Sequence, residues 1–418
     1  MLLLSAPWVL PISGPPVRDG WIAVEEGRIT ARGEAGQRPP RAADEVRLDR
    51  AALMPGLVNA HTHLELSYLR GAIGETTRFT EWIRELMRLR RTRAGTTPEA
   101  GQEIERAIGE ARAAGTALVG DISNTLTTVP ALERSPIAAQ VFFELVRFRG
   151  DEAEAAYGAA VERLEGLPPL SHVRVSLAPH APYSVSPQLF RLIRRHIDAA
   201  APGPTSVHLC ESNEECELLA GGCGPWRDLL RELNAWDTEW IAPASTPVEY
   251  LDGLGFLQGD TLVVHGVHVR DGDLARIRAH QGTLVTCPRS NHHVGAGDPP
   301  VARFYGSGVA VAVGTDSLTS APDLNVFSEL AGMRRLAPDV PARRLLESAT
   351  RTGARALGFD DYGSLAPGTK AEVIAVSLPG EVADVEEYLV SGIVPEQVHW
   401  PLDRLPAVGG RARSPSAP

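Results

Sequence analysis

Residues 55–63 read Pro55-Gly-Leu-Val-Asn-Ala-His-Thr-His63, an apolar run that ends in two histidines with one residue between them. Residues two apart in a β-strand point to the same face of the strand. If this run is a buried strand, the imidazoles of His61 and His63 lie side by side and can share a metal ion. On its own the pattern is weak, because a pair of surface or core histidines is the commoner explanation of this spacing.

Seven further runs rich in valine, leucine and alanine follow, and stretches with helical periodicity lie between most of them. The runs end near Ala60, Gly120, Leu145, Pro179, Leu209, Val264, Cys287 and Gly314. Helices are predicted at Phe79–Arg91, Pro98–Ala114, Pro187–Ala200, Asp323–Arg335 and Pro341–Leu357. Eight buried strands that alternate with helices are typical of an α/β fold, the (β/α)₈ or TIM-type barrel, and we predict that fold here.

Several of these runs end in side chains that can bind a metal or move a proton. His180 follows the fourth run, His208 and Glu211 belong to the fifth, His265 ends the sixth and Asp316 follows the eighth. The chemistry of such barrels lies at the carboxyl ends of the strands. Each residue alone has a plainer explanation, such as a hydrogen-bonded core histidine or a helix N-cap. Three histidines and an aspartate that meet on one rim are costly to bury unless a cation binds them, and this donor set suits Zn²⁺ or Fe²⁺.

Both ends of the chain read as short β-strands. Trp21–Thr30 has the pattern of a hairpin, and Ser364–Val376 has a Pro-Gly turn followed by an apolar run, so we predict a small β-sandwich domain built from both chain ends. The predicted division is residues 1–54 plus 362–404 for the β-sandwich domain, 55–361 for the barrel and 405–418 for a disordered tail.

The composition is that of a globular protein of 418 residues, with 43% hydrophobic residues, 22% charged residues and a formal net charge of −11. A net acidic surface argues against non-specific binding to nucleic acid. The four cysteines do not form paired CxxC motifs, so we expect four reduced thiols in a cytoplasmic protein. The N-terminus lacks the positive stretch of a signal peptide, and we find no apolar run of membrane-spanning length.

The run at residues 55–63 strongly resembles the strand-one signature of the amidohydrolase superfamily. Stretches that resemble its later motifs follow in the expected order, namely Val207–Glu215, Leu262–Gly266, Cys287–Asn291 and Gly314–Leu318. The resemblance extends from about Gly20 to Val376 and is specific to the branch of cytosine deaminase-like and chlorohydrolase-like enzymes. Within that branch, His61–Ser67 and Gly314–Ser320 are most similar to aminodeoxyfutalosine deaminases.

The resemblance implies a role for each matching residue. The metal ligands that it implies are His61, His63, His208 and Asp316. It further implies that Glu211 shuttles protons, that His265 orients the attacking water and that His180 faces the substrate. Members of the superfamily with two metals bridge them with a carboxylated lysine on strand four, whereas Val173–His180 contains no lysine. We therefore expect one divalent metal ion per chain, with Zn²⁺ preferred and Fe²⁺ as the alternative.

Three more residues are candidates for contact with the substrate. Glu65 lies two positions beyond His63 and either faces the pocket or forms a structural salt bridge, and the sequence does not decide between these roles. Ser290 and Asn291 belong to the motif after the seventh run, and we predict that they contact the substrate.

These residues predict a metal-dependent hydrolase that acts on carbon–nitrogen bonds other than peptide bonds. The ion would lower the pKa of its bound water from roughly 16 to about 7, and Asp316 and His265 would hold that water. The metal-bound hydroxide would then deaminate an amino-substituted heterocycle of a small molecule, with a purine nucleoside-like substrate as the specific expectation. A glutamate after strand five favours deamination, because the leaving nitrogen must be protonated. A chlorohydrolase or a cyclic amide hydrolase on the same scaffold is the near alternative.

A non-catalytic barrel scaffold is the distant alternative, since a fold alone does not establish an activity. The presence of all four ligands together with Glu211 and His265 argues against it. We expect a small-molecule substrate, no nucleic-acid or membrane partner, and a homodimer as the working assembly.

Overall fold

The structure is a computed structural model that describes residues 1–34, 36–37, 42, 44–199 and 203–403, so the predicted tail at residues 405–418 lies outside the described residues. In chain order the strands are β1 (Leu2–Val9), β2 (Val17–Glu25), β3 (Arg28–Gly33), β4 (Asp44–Arg47), β5 (Ala51–Pro55), β6 (Leu57–Thr62), β7 (Thr116–Ser123), β8 (Ala138–Leu145), β9 (Val173–Pro179), β10 (Thr205–Leu209), β11 (Thr261–His265), β12 (Thr283–Thr286), β13 (Ala310–Val313), β14 (Val373–Ser377) and β15 (Val398–His399). The α-helices are α1 (Phe79–Thr92), α2 (Pro98–Ala113), α3 (Val129–Arg134), α4 (Ala153–Glu165), α5 (Pro187–Ala199), α6 (Asn213–Gly221), α7 (Pro225–Glu232), α8 (Pro247–Gly253), α9 (Asp271–Ala279), α10 (Pro288–His293), α11 (Val301–Ser307), α12 (Val326–Leu336), α13 (Ala342–Glu347), α14 (Gly353–Ala356) and α15 (Val385–Leu389). Within the described ranges, no helix has both the length and the apolar character that crossing a membrane would need.

Strands from both ends of the chain form one mixed sheet, in the order β15-β14-β5-β1-β2-β3, with β4 beside β1. The predicted hairpin is present, because Glu25 of β2 pairs with Arg28 of β3. The two turn residues, Glu26 and Gly27, have φ angles of 50° and 73°, as a two-residue turn between twisted antiparallel strands requires. The sheet forks at β1, whose first half pairs with β4 and whose second half pairs with β5. The domain boundaries derived from the sequence stay a prediction.

The remaining strands form the barrel as two parallel four-stranded sheets, β6-β7-β8-β9 and β10-β11-β12-β13. Helices connect successive strands, as parallel neighbours require. All residues of β6, β7, β8, β10, β11 and β12 are buried. Burial on both faces explains why these strands read as continuous apolar runs rather than as alternating patterns.

The two half-sheets contact each other along both edges. At one edge Thr62, the last residue of β6, forms a parallel bridge with Asp316, just after β13. At the other edge the backbone N–H of His208 in β10 donates to the carbonyl of His180, just after β9, at 2.8 Å. Together with the alternation of strands and helices, these contacts confirm the predicted (β/α)₈ barrel.

The last two predicted helices differ from the observed ones. The helix predicted over Asp323–Arg335 begins at Val326, because the side chain of Asn325 accepts a hydrogen bond from the N–H of Phe327 at 3.0 Å and caps the helix there. The helix predicted over Pro341–Leu357 is divided into α13 and α14 by a π-helical segment at Ser348–Thr352.

Candidate metal centre and active site

The carboxyl ends of β6, β10 and β11 and the turn after β13 bring histidines and one aspartate to the same rim of the barrel. Nε2 of His63 lies 3.3 Å from Nε2 of His208 and 3.4 Å from Oδ1 of Asp316. Nε2 of His61 lies 3.9 Å from the same carboxylate oxygen. The structure therefore brings together the four side chains predicted to bind a metal.

Three overlapping sets of three potential ligands occur here. They are His61, His63 and Asp316; His61, His208 and His265; and Glu144, His180 and His208. Within each set the ligand atoms lie within 4.8 Å of one another. The first two sets share His61 and the last two share His208, so the sets are continuous with one another.

Burial keeps the imidazoles of this cluster neutral. It lowers the pKa of His63 and of His208 to about 3, and the charge of a protonated His180 adds to the effect on both. It also lowers the pKa of His61 well below the usual value, with His208 as the next cause. A neutral imidazole offers the lone pair that a metal ion requires. Both ring nitrogens of His61 are buried and have no hydrogen-bond partner among the described residues. The cluster therefore fits a divalent cation with nitrogen and oxygen ligands.

The surroundings of Asp316 aim its carboxylate at the histidines. Its φ of 59° lies in the left-handed region, which residues other than glycine rarely adopt. The hydroxyl of Ser290 donates to Oδ2 of Asp316, and the hydroxyl of Ser320 donates to the same oxygen at 3.2 Å. Since these contacts occupy Oδ2, Oδ1 is the oxygen directed toward His61 and His63.

Glu211 and His265 form a pair beside the cluster. Oε1 of Glu211 lies 3.4 Å from Nε2 of His265, and Nδ2 of Asn291 donates to Nδ1 of the same ring at 2.9 Å. Burial, followed by the charges of Asp316 and Glu215, raises the pKa of Glu211 well above its usual value. A carboxyl group in such an environment can carry a proton near neutral pH.

His180 lies next to the cluster, with its ring centroid 4.8 Å from that of His208. Its Nδ1 lies 2.6 Å from the hydroxyl oxygen of Ser184, a contact that orients the ring. Burial lowers the pKa of His180 to about 4, so a neutral imidazole stands at this position. The predicted contact of His180 with the substrate stays a prediction.

Glu65 is buried, and its carboxylate is surrounded by hydrogen-bond donors at the end of β7 and in the segment that follows it. The hydroxyls of Ser123 and Thr125 donate to it at 2.7 and 2.8 Å, and the N–H groups of Asn124 and Thr125 donate at 3.0 and 3.1 Å. Arg90 lies 3.9 Å from it. Of the two roles that the sequence left open for Glu65, these contacts favour the structural one.

Ser290 and Asn291 lie at the start of α10, where both are buried. Their side chains contact Asp316 and His265 as described above, so both residues belong to the cluster. Their contact with the substrate stays a prediction.

A buried carboxylate that we did not identify from the sequence also lies beside the histidines. Oε1 of Glu144, near the end of β8, lies 3.4 Å from Nδ1 of His208, and Nδ2 of Asn124 donates to Oε2 of Glu144 at 2.9 Å. An acidic residue within the apolar run Ala138–Leu145 is the signal that could have identified it. Glu215 lies in α6, four residues after Glu211. It was missed because other glutamates surround it in the sequence.

Comparison with known proteins identifies the family of the chain. Residues 52–396 match the Amidohydrolase family. The chain is 34% identical over 353 residues to the aminodeoxyfutalosine deaminase of Deinococcus radiodurans, and the match covers 81% of each protein. It is 26% identical over 388 residues to a 5-methylthioadenosine/S-adenosylhomocysteine deaminase of Desulfitobacterium hafniense. That match covers 90% of this chain and 84% of the relative.

A solved structure shows the same fold. The crystal structure of an adenosine deaminase from Xanthomonas campestris with bound zinc superimposes with a TM-score of 0.80 at 26% identity, and the match covers 95% of this chain and 90% of that chain. The family match spans most of the chain, from the strand before the first histidine pair to a point beyond β14. The chain therefore belongs to the amidohydrolase family.

Proposed function

We propose that the chain is a metal-dependent aminohydrolase, which removes the amino group from the heterocycle of a purine nucleoside-like small molecule and releases ammonia. The observation that carries this proposal is the position of Glu211, whose carboxylate lies 3.4 Å from His265 beside the histidine–aspartate cluster. The relatives are named as deaminases of aminodeoxyfutalosine, 5-methylthioadenosine, S-adenosylhomocysteine and adenosine. Their names support both the reaction and the substrate class.

We propose that His61, His63, His208 and Asp316 bind one divalent ion, with zinc preferred and iron as the alternative. Neutral imidazoles and a carboxylate form a donor set that suits zinc, and the related adenosine deaminase structure contains zinc. Lys370 is the only lysine of the sequence. It precedes β14, in the mixed sheet formed by the chain ends, and contacts Tyr362, so it is not available to bridge a second ion in the cluster.

The proposed reaction exchanges a carbon–nitrogen bond for a carbon–oxygen bond. A divalent ion held by His61, His63, His208 and Asp316 would supply water whose pKa is lowered from roughly 16 to about 7. The carboxylate of Glu211 would take one proton from the water and deliver it to a ring nitrogen as the water oxygen bonds to the carbon that bears the amino group. The second proton, from the added hydroxyl, would pass to the amino group, which leaves as ammonia as the carbon–oxygen double bond forms. The side chains of His265 and Asp316 would hold the water in position. Proton transfer by a positioned glutamate contributes a factor of roughly 10²–10⁴ to such reactions.

His180 completes the proposed site as a contact for the heterocycle, because its neutral ring lies beside His208. The homodimer and the cytoplasmic location inferred from the sequence stay predictions.

A release assay tests the reaction class. Purified protein loaded with zinc, or in parallel with iron, is incubated with aminated purines, pyrimidines and their nucleosides, and free ammonia is measured. We expect ammonia from adenine-bearing nucleosides. The contrary result is that no nucleoside releases ammonia, while chlorinated heterocycles release chloride or cyclic amides are opened. This result would contradict the proposal and favour the alternative hydrolases.

Substitution of the proposed proton carrier tests the mechanism. Glu211→Gln removes the acid–base group while preserving the shape of the side chain, so we expect unchanged metal content and a fall in kcat of roughly 10²–10⁴. Glu214→Gln is the matched control, since Glu214 is a half-buried glutamate in the first turn of α6. A Glu211→Gln protein with the turnover of the Glu214→Gln protein would exclude this mechanism.

A further inference from the structure

The turn between β10 and α6 places Glu211, and its backbone is unusual. Cys210 has a φ of 52°, in the left-handed region that costs most residues free energy. The turn also buries backbone N–H groups that do not belong to a strand ladder, and such groups require acceptors. The conformation of this turn therefore has to be imposed by its surroundings.

Glu215 supplies the acceptors for this turn. Its side chain is fully buried in the first turn of α6. Oε1 accepts a hydrogen bond from the N–H of Cys210 at 3.1 Å, and Oε2 accepts one from the N–H of Glu211 at 3.0 Å. One carboxylate therefore binds two consecutive N–H groups, which fixes the peptide plane that precedes the proposed proton carrier.

The opposite side of the same turn is held by the segment after β11. The N–H of Gly266 donates to the carbonyl of Leu209 at 3.1 Å, and the N–H of His268 donates to the carbonyl of Cys210 at 2.9 Å. These bonds hold the turn against the strand that carries His265. Glu215 then fixes the remaining rotation of the turn, which decides where the Glu211 side chain points relative to His265.

We propose that Glu215 is a positioning residue, whose carboxylate holds the backbone of Cys210 and Glu211 so that the Glu211 side chain reaches His265 and the substrate. This inference rests on the proposed role of Glu211. A shift of about 1 Å in a catalytic group can reduce turnover by roughly 10²-fold. The effect of losing the Glu215 contacts therefore appears in kcat. Three of the proposed metal ligands lie on other segments, and His208 stays paired with Val264 in the ladder between β10 and β11, so the ion is retained.

Three variants separate positioning from simple support of the helix. Glu215→Gln has the same shape but places an NH₂ group against one of the two N–H donors, so we expect kcat to fall about 10- to 100-fold with unchanged KM and metal content. Glu215→Asp keeps the charge but is too short to reach both donors, and its kcat must also fall. Ser212→Ala removes the hydroxyl that accepts from the N–H of Glu215 at 3.3 Å, so it lowers helix stability by about 1 kcal/mol and leaves kcat unchanged. Glu214→Gln serves as the neutral control.

The outcomes decide the inference independently of the proposed function. If Glu211→Gln remains active, the proposed mechanism itself is wrong. If Glu211→Gln is inactive while Glu215→Gln and Glu215→Asp retain the wild-type kcat, only the positioning role is wrong. Loss of metal from the Glu215 variants, or a fall in kcat no larger than that of Ser212→Ala, would also overturn it, because either result describes a structural residue.

Discussion

The hydroxyl of Ser290 donates a hydrogen bond to Oδ2 of Asp316, whose other oxygen lies 3.4 Å from Nε2 of His63. A side chain at the start of α10 therefore orients the carboxylate that completes the cluster. Partners of metal ligands typically change metal affinity by about 10- to 100-fold when they are removed. We predict a loss of this size in zinc affinity for Ser290→Ala, measured by competition with a chromogenic chelator.

The control for this prediction is Ser391→Ala, because Ser391 is exposed and its hydroxyl contacts only the nearby carbonyl of Tyr388 among the described residues. Equal zinc affinity in the Ser290→Ala and Ser391→Ala proteins would show that Ser290 does not support the metal site.

Removal of the metal should lower the stability of the fold. The buried nitrogens of His61 have no other partner in the described part of the chain, and a ligand that binds only the folded state stabilises it by about 2.7 kcal/mol at a concentration 100 times its Kd. We predict that a strong chelator lowers the Tm of the wild-type protein, measured by calorimetry, and that zinc restores it. His208→Ala should bind little metal, and its Tm should be insensitive to the chelator.

An unchanged Tm after verified removal of the metal would contradict this prediction. It would favour the scaffold that the sequence left as a distant alternative, in which the barrel persists without a functional metal.

The pH dependence of the metal-free protein follows from its buried histidines. Burial lowers the pKa of His180 from 6.5 to about 4. Between these values the unfolded chain holds a proton on this ring and the folded protein does not, so protons favour unfolding. The contribution of His180 to stability is therefore intact above pH 6.5 and is lost as the pH falls toward 4. One pKa unit corresponds to about 1.4 kcal/mol. Over this range we therefore expect His180 to lower the free energy of unfolding by about 1–3 kcal/mol.

Urea denaturation at about pH 7 and about pH 5 measures this effect. Buried carboxyl groups with raised pKa values, such as Glu211, act in the opposite direction, so the informative quantity is the difference between wild type and His180→Gln. The variant should lose less stability on acidification than wild type does. His292→Gln, at an exposed position, should show the wild-type slope, and identical slopes in all three proteins would refute the prediction.

The barrel strands and the closeness of the histidines to Asp316 could be predicted because two strong local signals coincide in the sequence. A strand buried on both faces must be continuously apolar, so His61, His208 and Asp316 stand out at the points where apolar runs end. Local residue preferences also place the starts of three helices, since α1, α2 and α5 begin at Phe79, Pro98 and Pro187 as predicted.

The residues that the sequence did not reveal act through contacts between distant segments. Glu144 reaches His208 from another strand, and the neighbours of Glu65 come from the segment after β7. Neither contact leaves a periodic pattern in the sequence. A glutamate is also usually exposed to solvent, so the residue type does not reveal that these two are buried. The π-helical segment at Ser348–Thr352 contains no glycine or proline that would mark it in the sequence.

A substitution of Gly314 tests whether the site depends on the close approach of two strands. A Cβ at this position would lie 2.6 Å from the carbonyl oxygen and 2.7 Å from Cβ of His61, so the backbone before Asp316 can approach the first histidine only because glycine lacks a side chain. Gly314→Ala should therefore displace His61 from Asp316. Overpacking of this kind costs about 1–3 kcal/mol, and we predict that loss in urea denaturation together with weaker zinc binding. Gly272→Ala is the control, because a Cβ there meets nothing within 4 Å in α9 and alanine favours a helix by up to about 1 kcal/mol. A Gly314→Ala protein that matches Gly272→Ala in both stability and zinc affinity would mean that the strands can separate without disturbing the cluster.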